Sequence, residues 1–235
     1  MRIDKLLSSM GQASRTEASK AARKGLIKVN GIPVKKADAK IDPQKDVIEY
    51  MGKRVVYQEY FYIMMNKPSG VVSSTDGKDG DTVISLLPDE LQKCGLFPCG
   101  RLDKDTVGLL IITNDGSTAH YLLSPKRHVS KTYRLKTQFP VTQNDIDRLE
   151  KGVQLDRGDV ARPAKVRQSA SDELYITIVE GMYHQIKRML EAVDNKVTFL
   201  ERVDFATIPL DTALERGSWR YLTPQEVDVL LKQTK

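Results

Sequence analysis

Ile3, Leu6, Leu7 and Met10 recur at the spacing of one helical face, and Gly11 closes the run. Ser14-Arg15-Thr16-Glu17 has the form of a capping box, so a second helix starts there. Gly25 ends it, because glycine turns left-handed at little cost. Residues 26–29 read as a strand, and Asn30-Gly31 signals a type I′ hairpin into Ile32-Pro33-Val34. Residues 51–59 lack either period and read as a tether.

From Tyr60 the pattern changes. Tyr60-Phe61-Tyr62-Ile63-Met64-Met65 is a β-rich run, stopped by Asn66-Lys67-Pro68-Ser69-Gly70. Residues 75–81 form a polar, mobile loop, and 82–87 form a short helix. Leu109-Leu110-Ile111-Ile112-Thr113 is a buried strand closed by Asn114-Asp115-Gly116, with a helix over 117–123. Strands are expected at 131–135, 174–179 and 197–200. Helices are expected from the Thr142/Asp145 cap to Lys151 and over 183–193. Strands and helices mix without a βαβ rhythm, which predicts an α+β fold. A small N-terminal α-plus-hairpin module (1–58) precedes a domain (60–235) with a mainly antiparallel mixed sheet flanked by helices.

Charge sharpens this division. Residues 1–58 hold 13 Lys/Arg against 6 Asp/Glu, while the other 177 residues hold 24 against 25. The basic excess of the chain, +6 overall, therefore lies in its first quarter, as in a nucleic-acid contact. The second helix carries Arg15, Lys20, Arg23 and Lys24; Lys20 and Lys24 repel one another unless an anion neutralises them. A solvated face is the equal alternative for that helix alone.

Other classes recede. No apolar run approaches the ~20 residues of a membrane span, and the first residues have no signal-peptide character, so a cytoplasmic protein is expected. Cys94 and Cys99 are too few for a disulfide framework. With His120, His128 and His184 they show no zinc-ligand spacing and read as reduced thiols.

The chemistry concentrates in Gly100-Arg101-Leu102-Asp103-Lys104-Asp105-Thr106-Val107-Gly108-Leu109-Leu110-Ile111-Ile112-Thr113-Asn114-Asp115-Gly116. A charged loop feeds directly into a very apolar strand, where sites tend to lie. Asp103 and Asp105 alone could be a metal pair, a glycosidase pair or a solvated turn. A glycosidase would carry a Trp-rich sugar cleft, and Trp219 is the chain's single tryptophan.

This block resembles the central motif of the RsuA-like pseudouridine synthases at nearly every place. The likeness extends to Asn66-Lys67-Pro68-x-Gly70, to Lys131-Thr132-Tyr133, and to Glu180-Gly181-Met182-Tyr183-His184-Gln185-Ile186-Lys187-Arg188-Met189. Three segments of 1–58 resemble the RNA-binding module first described in small-subunit ribosomal protein four: Arg2 to Leu7, Ser14 to Ala18, and Ile27 to Gly31. The resemblance implies a bacterial enzyme that detaches uracil from ribose and rejoins it through carbon five, with no cofactor and no metal. It implies that Asp103 is the essential carboxylate, attacking ribose C1′ or acting by another route. It also implies that Tyr133 stacks on the base or relays the C5 proton, and that Lys187 or its neighbour Arg188 pairs with Asp103. Consecutive helical residues point about 100° apart, so one of the two should face Asp103. Arg101 would fill the gap of an extruded base or touch a phosphate, and His184 and Gln185 would orient the loop or the RNA. The His and Lys of the last motif, with Ser73-Ser74-Thr75-Asp76, resemble the small-subunit branch. A single uridine of 16S rRNA is therefore the expected target, in free RNA or a partly assembled small subunit, modified by a monomer. The alternatives are a 23S rRNA target or a non-catalytic RNA-binding or assembly factor, which would need neither Asp103 nor Tyr133.

Overall fold

In the computed structural model, which describes residues 1–233, the N-terminal periodicities become α1 (Ile3–Ser9) and α2 (Arg15–Arg23). Ile3, Leu6 and Leu7 of α1 are buried with Ala18, Ala21 and Ala22 of α2. The capping box forms as read: the Ser14 N–H donates to Glu17 at 2.8 Å, and the Glu17 N–H donates to the Ser14 hydroxyl at 3.2 Å. Arg15, Lys20, Arg23 and Lys24 are all exposed. Strand β1 (Ile27–Val29) pairs antiparallel with β2 (Ile32–Pro33) through Asn30 and Gly31, both left-handed. On its other side lies β3 (Ile48–Tyr50), which pairs with β4 (Lys53–Val55). The stretch read as a tether is thus partly sheet. Met51 and Gly52 close its hairpin at φ 50° and 79°, and Met is not a residue that advertises such a turn.

These elements belong to one compact unit, Met1–Phe61, which also takes in Ile84–Phe97. That second segment carries α3 (Asp89–Gln92) and buries Leu87, Leu91 and Leu96. Gly11 is more than a helix stop: a Cβ there would fall 1.9 Å from the Glu90 carbonyl oxygen. The helix expected over 82–87 is absent. Pro88 disfavours helical geometry at the residue before it, and the short helix follows the proline instead.

The second unit comprises Tyr62–Val83 and the chain from Pro98 onward. Its strands are β5 (Tyr62–Lys67), β6 (Phe97–Pro98) at its boundary, β7 (Val107–Thr113), β8 (Lys131–Thr137), β9 (Lys165–Ala170), β10 (Glu173–Ile178), β11 (Val197–Phe205), β12 (Ile208–Pro209) and β13 (Trp219–Tyr221). Its helices are α4 (Gly116–Leu123), α5 (Gln143–Lys151), α6 (Gln185–Glu191) and α7 (Pro224–Lys232). The sheet runs β13-β5-β7-β11-β8-β10-β9, with β12 beside β11. Its ladders are antiparallel apart from β11 on β7. β5 and β7 lie in the middle and are buried at every position, which explains their unbroken apolar runs. β10 alternates buried and half-buried residues, while β9 at the edge is almost wholly exposed and polar.

The parallel junction of β7 and β11 sets the start of β7. Gly108 pairs with Arg202, and a Cβ on Gly108 would lie 2.3 Å from the Arg202 carbonyl oxygen. Its φ of 101° also favours glycine. At the other end of β7, Asp115 caps α4 by accepting from the N–H groups of Ser117 and Thr118. The Tyr62 hydroxyl also donates to Asp115 at 2.7 Å.

Candidate active site

The loop 101–106 leads into β7 and is held from the segment after β5. The Ser73 hydroxyl donates to the Leu102 carbonyl at 3.0 Å and accepts from the Leu102 N–H at 3.1 Å. The Gly70 N–H donates to the Lys104 carbonyl at 2.8 Å. Beneath the loop, fully buried Lys67 points its ammonium into a ring of carbonyls: Pro68 and Asp103 at 3.1 Å, Lys104 at 3.3 Å and Thr106 at 2.9 Å. Burial pushes the Lys67 ammonium down to about 8, against the pull of Asp105 and Asp103. Four carbonyl acceptors on one cation fix the backbone that presents Asp103.

The second wall comes from α6. Its N-cap, His184, is left-handed at φ 48°, and its ring Nε2 lies 3.6 Å from Asp103 Oδ1. Lys187, one turn along, places Nζ 3.0 Å from Asp103 Oδ2 and 2.8 Å from Asp105 Oδ1. Burial opposes the charge on Lys187, but the hydrogen bonds it donates to Asp105 and Asp103 outweigh it and raise its pKa. Asp105 is likewise disfavoured by burial and held low by the Lys187 hydrogen bond. The result is a half-exposed carboxylate, Asp103, oriented by an ammonium and flanked by an imidazole.

Of the two candidates on α6, Lys187 faces Asp103. Arg188 points elsewhere: its guanidinium binds Asp156, reaches Asp159 at 2.7 Å and the Tyr183 carbonyl at 3.3 Å, and is only 10% exposed. The RNA contact expected of Arg188 is thus displaced by intramolecular partners. Gln185 is buried, donates to Glu180 at 2.6 Å and accepts from the Met182 N–H at 2.9 Å. Both ends of its amide shape the turn before α6, on the loop side of the role expected of it. Arg101 is exposed beside the loop. Tyr133 is 8% exposed on β8 and pairs with Arg202, the residue that also pairs with Gly108. Two strand spacings, about 10 Å, therefore separate Tyr133 from the foot of the Asp103 loop.

Lys67 was not singled out as a site residue from the sequence, and Asp105 entered only as the partner of Asp103 in a possible metal or glycosidase pair. The usable signal for Lys67 was a cation closing an otherwise apolar strand just before a proline. The shared contact of Asp105 with Lys187 had no signal beyond its nearness to Asp103.

The model of the family "RNA pseudouridylate synthase" matches residues 61–192, and that of the S4 domain matches residues 1–48. This chain belongs to the RNA pseudouridylate synthase family. It is 42% identical to an uncharacterized RNA pseudouridine synthase of Bacillus subtilis, over 98% of both chains. It is 39% identical to the ribosomal small subunit pseudouridine synthase A of Escherichia coli, over 97% of this chain and 98% of that one. A solved structure titled as a crystal structure of pseudouridylate synthase aligns with 98% of this chain and 99% of that one, at TM-score 0.70 and 36% identity. The N-terminal RNA-binding module and the mixed-sheet synthase domain read from the sequence are both present.

Proposed function

We propose that this protein isomerises a single uridine of 16S rRNA to pseudouridine, with Asp103 as the carboxylate that acts at the ribose. The observation carrying this reading is the Asp103 carboxylate set between Lys187 Nζ, at 3.0 Å, and His184 Nε2, at 3.6 Å, on a loop anchored from below by Lys67. A carboxylate so placed can attack C1′ or stabilise the sugar as the N1–C1′ bond breaks. Lys187 keeps it aimed while the freed uracil turns. C5 then bonds to C1′ and its proton leaves, and the phenol of Tyr133 is the group assigned to stack on the base or relay that proton. No electrons are gained or lost, so the reaction calls for no redox cofactor. Arg101, exposed on the loop, is the side chain assigned to enter the gap left by the base or to touch a phosphate.

The choice of 16S rRNA rests on the small-subunit relatives and on the His184/Lys187 form of the last motif. The exposed cations Arg15, Lys20, Arg23 and Lys24 grip phosphates of the folded RNA, in free 16S rRNA or a partly assembled subunit. The enzyme works as a monomer in the cytoplasm. Among the described residues no helix is long and apolar enough to cross a membrane.

Pseudouridine mapping of rRNA from cells with and without the protein tests the reading. One 16S mark should vanish on deletion, return with the wild-type gene, and stay absent with Asp103→Asn although that variant still binds RNA. A mark restored by Asp103→Asn removes the assigned carboxylate. A mark lost from 23S rRNA instead removes the assigned substrate.

A further inference from the structure

Tyr183 is 69% exposed, the same as Ile32 and below only Val56 among the large apolar residues left exposed. Its ring lies flat on the His184 imidazole, with centroids 3.8 Å apart and planes 19° from parallel. The Nε2 atom of that imidazole lies 3.6 Å from Asp103 Oδ1. The three groups thus form a short column from the carboxylate outward: Asp103, then His184, then Tyr183, whose outer side is open to solvent.

The backbone of this turn is braced by side-chain hydrogen bonds. Gln185 ties Met182 to Glu180, and Arg188 holds the Tyr183 carbonyl while itself held by Asp156 and Asp159. His184 stays left-handed, an uncommon state for a residue with a side chain, because these bonds over-determine the turn. One face of the Tyr183 ring lies on the imidazole, and the rest stays exposed where a second flat group can stack.

We propose that Tyr183, backed by His184, is a stacking platform for the nucleobase adjacent to the extruded uridine. This rests on the function proposed above, and it names a contact that the reading does not include. The surroundings select the occupant. Asp103 and Asp105 with Lys187, and Asp156 and Asp159 with Arg188, lie about the turn, and an apolar protein surface seated on Tyr183 would desolvate those charges. A nucleobase offers a π face to the ring and can turn its N–H edge toward the carboxylates of the rim while its phosphate stays in solvent. The platform would hold the flanking nucleotide while Asp103 works on its neighbour, and it would favour a splayed strand over a stacked one.

The test uses a 16S rRNA fragment spanning the mapped uridine, with 2-aminopurine placed in turn on its 5′ and 3′ sides. Binding of the full-length protein should quench the probe at one of the two positions. Tyr183→Ala should remove that quenching and lower kcat/KM by about 10- to 100-fold, the range supplied by one base–aromatic stack. Tyr183→Phe should keep both within about 2-fold, since the ring face is what matters. Equal kcat/KM and equal quenching for wild type and Tyr183→Ala would overturn the platform. So would Tyr183→Phe failing as badly as Tyr183→Ala, which would assign the effect to the hydroxyl. A fall in Tm that parallels the fall in rate would make the effect one of folding and also defeat it. If the wild-type protein forms no pseudouridine, the underlying reading fails and the platform falls with it; an active wild type beside an unimpaired Tyr183→Ala sinks the platform alone.

Discussion

Single side chains fix this site by contacts that span long stretches of sequence. Lys67 holds carbonyls 36 to 39 residues away, and Lys187 reaches Asp105 across 82 residues. Asp115 shows the same at the far end of β7, joining Tyr62 to the first turn of α4. Burial pushes its carboxyl up, but hydrogen bonds from Thr118, Tyr62 and Ser117 outweigh this and hold it down to about 2. A carboxyl lowered in the folded state stabilises the fold fully above its unfolded value, near 4, and loses that contribution as pH falls toward 2. Acid unfolding of wild type should therefore show a loss of about 2 kcal/mol over that window that Asp115→Asn lacks. Urea titrations at stepped pH would reveal it, and parallel pH curves for the two proteins would contradict it. Asp103 could be picked out from the sequence because its whole neighbourhood was distinctive. Lys67 could not, because its role depends on which carbonyls the fold brings above it. Tyr183 looked like one more letter of a motif until its exposure and its contact with His184 were seen.

Elements were legible where one force dominated. The apolar runs of β5 and β7 and the capping boxes of α2 and α5 were readable because burial or a local hydrogen bond decides them. The strand expected over 197–200 continues through Glu201-Arg202 to Phe205. Both charged residues are buried. Glu201 is paired with Arg216 and Arg134, while Arg202 donates to the Leu109 carbonyl at 2.8 Å. No local pattern announces such pairings. The polar edge strand β9 escaped notice because nothing on it is driven inward. The Thr223/Glu226 capping box of α7 was available, with Pro224 as the first helical residue, but was not used. The β7–β11 junction makes a sharp prediction at this scale. Gly108→Ala must either push the two strands apart or strain a left-handed alanine, at a cost of about 3 kcal/mol or more. Thr142→Ala, which removes one cap, should cost only about 1 kcal/mol. Chemical denaturation should rank them in that order, and a Gly108→Ala protein as stable as wild type would mean that the close approach is wrong.

Across the whole molecule, charge and chain path matter most. The first 58 residues hold a net excess of 7 positive charges, and the α2 cations stand exposed. Replacing Lys20, Arg23 and Lys24 together by Gln should weaken 16S rRNA binding and flatten its dependence on salt. The slope of log K against log salt should shrink by about 1 for each side chain that meets a phosphate. Filter binding from low to moderate salt would measure this, and an unchanged slope would place the phosphate contacts elsewhere.

The backbone leaves the first unit after Phe61, returns at Ile84 and leaves again after Phe97. No single cut therefore separates the two units, and a protein trimmed to its first 58 residues lacks Leu87, Leu91 and Leu96 from its interior. The same routing dictates an order of events at birth. On a translating ribosome the amino-terminal unit cannot finish its interior until residue 97 has emerged, when the first strand of the larger sheet has already been made. The two halves of this enzyme must come of age together.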